Sequence, residues 1–463
     1  MASLTSLGCA KNFVETEHAA ASLLQAGFGL AAEEGSENIR YINTCAFLKS
    51  AREEAFAHIR EAEEWKKRKK GRFVCVGGCL VAHMGAAELK EKFPLVDLFV
   101  GIDDTASTGV LLKKVMEKGA NMPEISGTRN FVCSHDTPRL QLTPSHYAYL
   151  KISDGCDNRC NYCLIPSIRG RLRSRKAEEI VEEAENLLSS GVKELIVIAQ
   201  DTSAYGKDLA GKSLLPDLLK KLDGLKGEYL LRLMYLHPAG ITDELIMTMK
   251  KMKHLVNCLE MPIQHIDDTV LKNMGRKIFE KETRNVLDTL KKNGFALRTT
   301  LMTGFPGETQ EAFEKLLAFV KEFEFRRLGV FAYSPEKGTP GAKMPSRPSS
   351  REGQARRKAL LEAQGVLSEK FNRTLLGKET EVIVDFPDGE GSYLGRTIID
   401  APDIDNLVHI ESSGTVLSPG MRIKCLVEKV SKYDLFVRYV PAGNGNTRIN
   451  DKTGKKQGKG GGK

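Results

Sequence analysis

From residue 147 to residue 331 the chain alternates six times between a short apolar run and a stretch of helical periodicity. The runs cover 147–152, 194–199, 229–234, 257–261, 296–302 and 327–331, and amphipathic stretches such as 177–190 and 310–323 fall between them. A strand that returns through a helix to lie beside its predecessor runs parallel to it, so the segment predicts an α/β fold with a parallel sheet. Six such units make a partial (β/α)6 barrel of the TIM kind, left open where a closed one has eight. Chemistry in such barrels sits at the carboxyl ends of the strands. The turns to watch are therefore 200–202, 235–237, 262–265, 303–308 and 333–339. Each has a plain reading beside a functional one. His265 reads as a hydrogen-bonded core histidine, and Glu308 as an acidic residue opening a helix, where its charge suits the dipole.

The first run leads into KISDGCDNRCNYCLIPSIRG, residues 151–170, which places Cys156, Cys160 and Cys163 in one loop. Three thiolates so close must wrap the loop around one centre if they bind metal together. No fourth ligand follows nearby: the next histidine is His237 and the next cysteine Cys258. A structural zinc site would complete its tetrahedron with another Cys or His. An iron–sulfur cluster suits the open position better, because its fourth iron can take a substrate in place of a protein ligand. Zinc, or three idle thiols, is the alternative.

Residues 1–120 repeat a strand–turn–helix pattern three times. Strand runs at 4–7, 40–43 and 73–76 enter small-residue turns with one cysteine each: SLGC at Cys9, INTC at Cys45 and VGGC at Cys79. A parallel sheet gathers such turns at the carboxyl ends of its strands. Cysteines 36 and 34 residues apart are thus expected as neighbours, forming a second three-cysteine site with one open position. Taken singly each would be a buried structural thiol; taken as a set at equivalent positions, they read as ligands. Cys75 competes with Cys79 but falls inside the apolar strand, where its thiol should pack. Cys133, in the Pro/Ser/Thr-rich linker 123–145, reads as incidental, and Cys258 as core.

Past the barrel, 334–350 is a Pro/Gly/Ser loop and 351–376 a charged helix. Residues 377–441 break into short β-rich runs between Gly, Pro and Asp turns, which predicts a small antiparallel β-barrel. Residues 376–441 carry seven basic against eleven acidic side chains, inside a chain whose net charge is +9. An RNA-gripping module should be basic. The strip TIIDAPDIDN, with Asp400, Asp403 and Asp405, therefore reads as a face for docking a basic protein. The Gly/Lys-rich end, 442–463, has six basic residues against one acidic; it reads as a disordered tail that either touches rRNA or does nothing. Ten cysteines with no secretory signal or long apolar run suit metal binding rather than disulfides. The chain is expected in the cytoplasm, away from membranes.

CDNRCNYC resembles the CxxxCxxC loop of radical S-adenosylmethionine (SAM) enzymes, and LIPSIRGRLRSR resembles the methylthiotransferase branch of that superfamily. SLGCAKN, INTC and GCL are similar to the amino-terminal domain of that branch. AQDTSAYG, RLMYLHP, MPIQH, TGFPGE and YSPEKGTP are similar to its strand-end motifs, and 377–441 resembles the TRAM domain, an OB-like module. One departure is Ala46, where the family usually has glycine. The resemblance implies an amino-terminal domain at 1–122, a radical SAM core at 146–376 and a TRAM domain at 377–441. It also implies two [4Fe-4S] clusters, one on Cys156, Cys160 and Cys163 and an auxiliary one on Cys9, Cys45 and Cys79. SAM would lie against the strand-end motifs, with Gln200, Gln264, Arg298, Gly304 and Glu308 as contacts, and a donor such as flavodoxin or ferredoxin would supply electrons. In the family, SAM cleavage yields a 5′-deoxyadenosyl radical that takes a C–H hydrogen, and the second cluster supplies sulfur, with the methyl group from another SAM. One branch modifies an adenosine in tRNA, the other the β-carbon of an aspartate in a small-subunit ribosomal protein. SLGCAKN, the SIRG after Cys163, RLMYLHP and the acidic strip resemble the second, so a ribosomal protein or the ribosome is the expected partner. The rivals are a tRNA methylthiotransferase and a non-catalytic iron–sulfur or zinc protein that binds RNA.

Overall fold

The computed structural model describes residues 1–31, 35–118, 133–134 and 136–441. Much of the expected linker, and all of the expected tail with its RNA contact, lie outside the described residues. Among the described residues no helix is long and apolar enough to cross a membrane.

The amino-terminal sheet is parallel, in the order β1 (Ala2–Ser6), β2 (Ile39–Thr44), β3 (Phe73–Gly78), β4 (Leu98–Val100). Sequence reading finds three units; β4, three residues long, is too short to announce itself. Successive side chains of a strand point to opposite faces, and helices take both. Tyr41 and Cys75 turn toward Ala19 and Leu23 of helix Ala10–Gln25, while Ile42, Val74 and Val76 turn toward Ala55, Ile59 and Trp65 of helix Lys49–Lys67.

The central sheet uses β5 (Tyr147–Lys151), then, after the short ribbon β6 (Ser153–Asp154) and β7 (Arg173–Ser174), β8 (Glu194–Ile198), β9 (Leu230–Leu233), β10 (Leu255–Glu260), β11 (Ala296–Thr303) and β12 (Arg327–Ala332). Six strands pair in parallel in the order β12-β11-β10-β9-β8-β5, an open barrel, and β6–β7 is a separate antiparallel pair. Each apolar run expected from the sequence falls on one of these six strands. Leu150, Val197, Leu231, Leu259 and Leu301 are fully buried against the surrounding helices, the main core of the molecule.

The carboxy-terminal strands β13 (Glu379–Pro387), β14 (Ser392–Thr397), β15 (Val408–Glu411), β16 (Arg422–Val430) and β17 (Leu435–Tyr439) close a barrel in the order β13-β14-β15-β17-β16. All its pairings are antiparallel except β15–β17, which is parallel.

One expectation is corrected here. Two of the three carboxylates of the acidic strip between β14 and β15, Asp400 and Asp405, turn inward rather than forming a docking surface, and only Asp403 is exposed. Asp400 is 1% exposed and accepts from Arg327 at 2.6 Å and from Thr397. Asp405 pairs with Arg298 at 3.2 Å, and Asp403 accepts from the Tyr147 hydroxyl at 2.7 Å. Arg232 donates to the carbonyls of Ile398 and Ile399, and Arg396 pairs with Glu194. The strip is the seam between the two barrels. Its charges were visible in the sequence, but the arginines that receive Asp400 and Asp405 and the tyrosine that donates to Asp403 lie far away along the chain.

Candidate active site

The loop of three cysteines leaves β5 through the β6–β7 ribbon, which pinches its two ends together. Gly155, at φ +73°, makes the turn; a side chain there would collide with the Arg171 carbonyl. Cys156 donates its N–H to Gly170 O, and Cys163 donates to Cys160 O. From outside, Asn161 N–H bonds to Met274 O, and Gly341 N–H to Asn161 O. The loop is thus clamped by two other barrel turns.

Above it lies a pocket of about 560 Å3, lined by Cys156, Cys160 and Cys163 together with Gln200, Gln264 and Arg276. Asn158, Asp201, Tyr235 and His237 complete its polar wall. Tyr235 (φ +63°) and Gln264 (φ +71°) adopt left-handed backbone just past β9 and β10. Such conformations in non-glycine residues persist only where their surroundings enforce them, and they gather at functional sites. Gln200 Oε1 and Arg276 Nε are buried with no hydrogen-bond partner in the protein. Burial pushes the Cys156 thiol up to about 11 and Cys163 up to about 12. Three thiols and unsatisfied polar groups around one cavity fit a cluster with a polar cosubstrate on its open side.

The other three cysteines follow β1, β2 and β3. Ser6, Asn43 and Gly77 stand in register across the sheet. The cysteines follow three, two and two residues later, so they reach the same edge. Gly8, at φ +94°, lies against Cys45: an added Cβ would sit 2.9 Å from its sulfur. Burial pushes the Cys79 thiol up to about 12 and raises Cys45 as well. Burial opposes ionising Cys9, but Lys11 and Arg169 together draw its thiol below the ordinary value. Cys75 points to the opposite face, packed with Tyr41 and Leu98. Among the described residues no three His, Cys, Asp or Glu side chains converge where a single ion could sit. A four-iron cluster asks for something else, since each thiolate binds its own iron at a separate corner.

A buried ionic network joins the two groups. Arg169, from the short helix after Cys163, donates to Glu15 and Asp154 and places Nη2 3.2 Å from Cys79 Sγ. Lys151 pairs with the same two carboxylates at 3.1 Å, and Gln200 donates to Asp154 at 2.9 Å. Burial opposes ionising Asp154, but Lys151 and Arg169 hold its carboxyl well below the usual range. Helix Cys79–Met84 packs directly on helix Ile165–Arg169. Lys11, two residues past Cys9, lays its ammonium 3.2 Å from the centroid of the Tyr235 ring.

Of the five SAM contacts expected, Gln200 and Gln264 line the pocket with the cysteines. Arg298, Gly304 and Glu308 are not among its lining residues. Arg298 is the third residue of β11, well short of the strand's carboxyl end, and engages Glu260 and Asp405. Glu308 accepts the Gly304 N–H and pairs with Arg356, which closes its own turn. His265 is fully buried, its Nδ1 accepting the Asp267 N–H. Sequence reasoning missed Arg276 and Lys11. Neither stands in a strand-end turn of the central sheet; Lys11 had the signal of a cation two residues past a cysteine, and Arg276 had none.

The model of the radical SAM superfamily matches residues 150–320, that of the uncharacterized protein family UPF0004 matches 2–101, and that of the TRAM domain matches 376–440. Among curated proteins, the ribosomal protein uS12 methylthiotransferase RimO of Syntrophus aciditrophicus (strain SB) is 43% identical over 443 residues, covering 94% of this chain and 98% of its own. The protein of the same name from Geotalea uraniireducens (strain Rf4) is 40% identical, with 95% and 98% covered. Among solved structures, the radical SAM methyltransferase TsrM of Kitasatospora setae, with tryptophan substrate and a SAM analogue bound, superposes with a TM-score of 0.53 at 15% identity, over 71% of this chain and 72% of that one. The cobalamin-dependent SAM radical enzyme OxsB gives 0.51 at 12% identity, over 78% and 56%. These two likenesses concern the fold alone.

Proposed function

Because the chain belongs to the radical SAM methylthiotransferase family, we propose that it places a methylthio group on the β-carbon of an aspartate in ribosomal protein uS12. The family is one of transferases that work with SAM and a [4Fe-4S] cluster. The observation that carries the finer reading is the pair of cysteine triads, one lining the pocket and one at the edge of the amino-terminal sheet, joined through Arg169. Cys156, Cys160 and Cys163 hold the first cluster, and Cys9, Cys45 and Cys79 a second. Gln200, Gln264 and Arg276 offer SAM amide and guanidinium groups. Bound there, clusters and SAM supply what side-chain acids and bases lack: an electron, a radical that takes hydrogen from an unactivated carbon, and the sulfur and methyl that replace it.

The chain's own residues position and shield. Asn158 donates to Asp201 at 2.6 Å and steadies the loop between Cys156 and Cys160. Leu236 and Pro262 keep part of the pocket wall apolar. Arg169 gives the Cys79 sulfur a charge-assisted hydrogen bond, which favours the thiolate that a ligand must be.

A second feature supports a protein substrate. The outer groove of the small barrel, about 1080 Å3, is rimmed by Asp388, Glu390, Glu411 and Glu428 around the His409–Phe436 stack, with Lys429 the one basic side chain of its lining. Such a surface attracts a basic protein and repels a polyanion. A ribosomal substrate places the enzyme in the cytoplasm, and the chemistry calls for an electron donor of the flavodoxin or ferredoxin class. Mass spectrometry of uS12 from a strain lacking the gene tests the reading: the methylthio group should be lost. If uS12 is unchanged and tRNA adenosines lose theirs instead, the substrate is RNA.

A further inference from the structure

Buried cations in this molecule are paired with carboxylates almost without exception. Lys151 and Arg169 share Glu15 and Asp154, Arg232 and Arg396 share Glu194, and Arg327 holds Asp400. Among the described residues two buried cations, Lys11 and Arg276, lack a carboxylate at ion-pair distance. Leaving a buried charge unpaired is costly, so each position asks what anion completes it. Arg276 lines the pocket beside Cys160 and is accounted for by the SAM site.

Lys11 sits elsewhere. It follows Cys9 by two residues, is 7% exposed, and rests its ammonium on the face of Tyr235, whose residue walls the pocket of the other triad. Its charge therefore stands at the seam between the two cysteine sites, where a reacting carbon must lie to be reached from both. In aspartate the β-carbon is bonded directly to the carboxyl carbon. A cation that grips the carboxylate thus fixes the carbon beside it.

We propose that Lys11 determines specificity by binding the carboxylate of the substrate aspartate, an inference that rests on the reading of the substrate as an acidic side chain. Beside the ammonium the chain sets the Cys9 sulfur but, among the described residues, no carboxylate at ion-pair distance, and a neutral nucleobase or an amide would add none. The ring of Tyr235 holds the cation by its π face and leaves its N–H donors for the substrate.

The test uses the full-length enzyme with both clusters reconstituted, and recombinant uS12 carrying either its natural aspartate or asparagine at the modified position. Affinity is measured without reductant, so no turnover occurs. Wild type should prefer the aspartate form about 10- to 100-fold, the range for a hydrogen bond to a charged group. In Lys11→Met that ratio should fall to near one, and Lys11→Arg, which keeps the charge, should restore part of it. The ratio is taken within each variant, so incomplete cluster loading cancels. A wild type that modifies uS12 while Lys11→Met keeps the full ratio overturns the Lys11 inference alone, as does a wild-type ratio near one. A wild type that leaves uS12 unmodified overturns the substrate assignment, and the inference with it. Should Lys11→Met fail to accumulate, Lys11→Gln, which removes the charge but keeps a polar side chain, is read in its place, and a ratio as high as wild type there overturns the inference.

Discussion

Cys156, Cys160 and Cys163 come from one run of eight residues, whereas Cys9, Cys45 and Cys79 come from three strand ends spread over seventy-one. The first triad needs only its loop, the β6–β7 pinch and two clamping turns. The second exists only when three parallel strands hold their register, with Ser6, Asn43 and Gly77 abreast. A slip of one residue would turn a cysteine to the wrong face. Local triads are cheap to build and easy to read; dispersed ones make the whole domain part of the ligand set. That difference also divides the labour expected of them, since one lines the pocket and the other does not.

The largest effects should come from removing each triad outright. With both four-iron clusters in place the chain should hold about eight irons. Replacing Cys156, Cys160 and Cys163 by Ala should roughly halve the iron and abolish SAM cleavage. Replacing Cys9, Cys45 and Cys79 should also halve the iron, yet leave SAM cleavage measurable while methylthio transfer vanishes. Full iron in the second variant would break the comparison, because the dispersed triad would then hold nothing.

Next in size is Arg169→Met, which strips Glu15, Asp154 and Cys79 of a shared cation. Breaking a buried pair costs about 3–5 kcal/mol, so a lower Tm is expected. Iron should be lost from the dispersed triad before the loop triad, visible as iron content falling toward half. Equal loss from both would show the network to be general scaffolding.

Glycines sharpen the contrast. Gly8→Ala must place a side chain at φ +94° against Cys45, and Gly155→Ala one at φ +73° against the Arg171 carbonyl. Each should cost about 1–3 kcal/mol locally. The first should lower auxiliary iron only, and the second loop iron only, as resolved by spectroscopy of singly loaded triad variants.

The smallest effect belongs to Cys75→Ser. Its thiol faces the helix Ala10–Gln25 side of the sheet, so the iron should not change, and a buried hydroxyl should cost about 1–3 kcal/mol. Cys79→Ser should lose the auxiliary cluster. The reverse result would mean that the strand's pleat has been assigned to the wrong face.

Much of this could be read in advance because the signals were periodic or local. The six strands of the open barrel announced themselves by apolar runs at helical intervals, and the turn cysteines by recurring at the same place in three units. The failures have a common physical cause. Asp400 and Asp405 looked like parts of a solvent-facing acidic patch, because nothing local reveals that Arg327 and Arg298 are waiting for them; only Asp403 stays exposed. Arg298 looked like a pocket residue, yet five residues at about 3.3 Å each separate it from the end of β11. Lys11 and Arg276 lie outside the turns where barrel chemistry is sought, and only the assembled fold shows that neither has a carboxylate at ion-pair distance.

The ionic seam has a consequence for anyone wishing to borrow the catalytic core. Proteins of several domains invite trimming, on the view that a terminal module hangs from a flexible thread and can be cut away. Severed before β13, this chain would be left with Arg327 stripped of its carboxylate on a surface that was an interior wall, Arg232 would keep Glu194 but lose the two carbonyls it donates to, and Glu194 would lose one of its two cations. A shortened version would therefore begin with a row of stranded charges rather than a clean stump. The small barrel must travel with the core, or a graft must bring its own carboxylates to the same places.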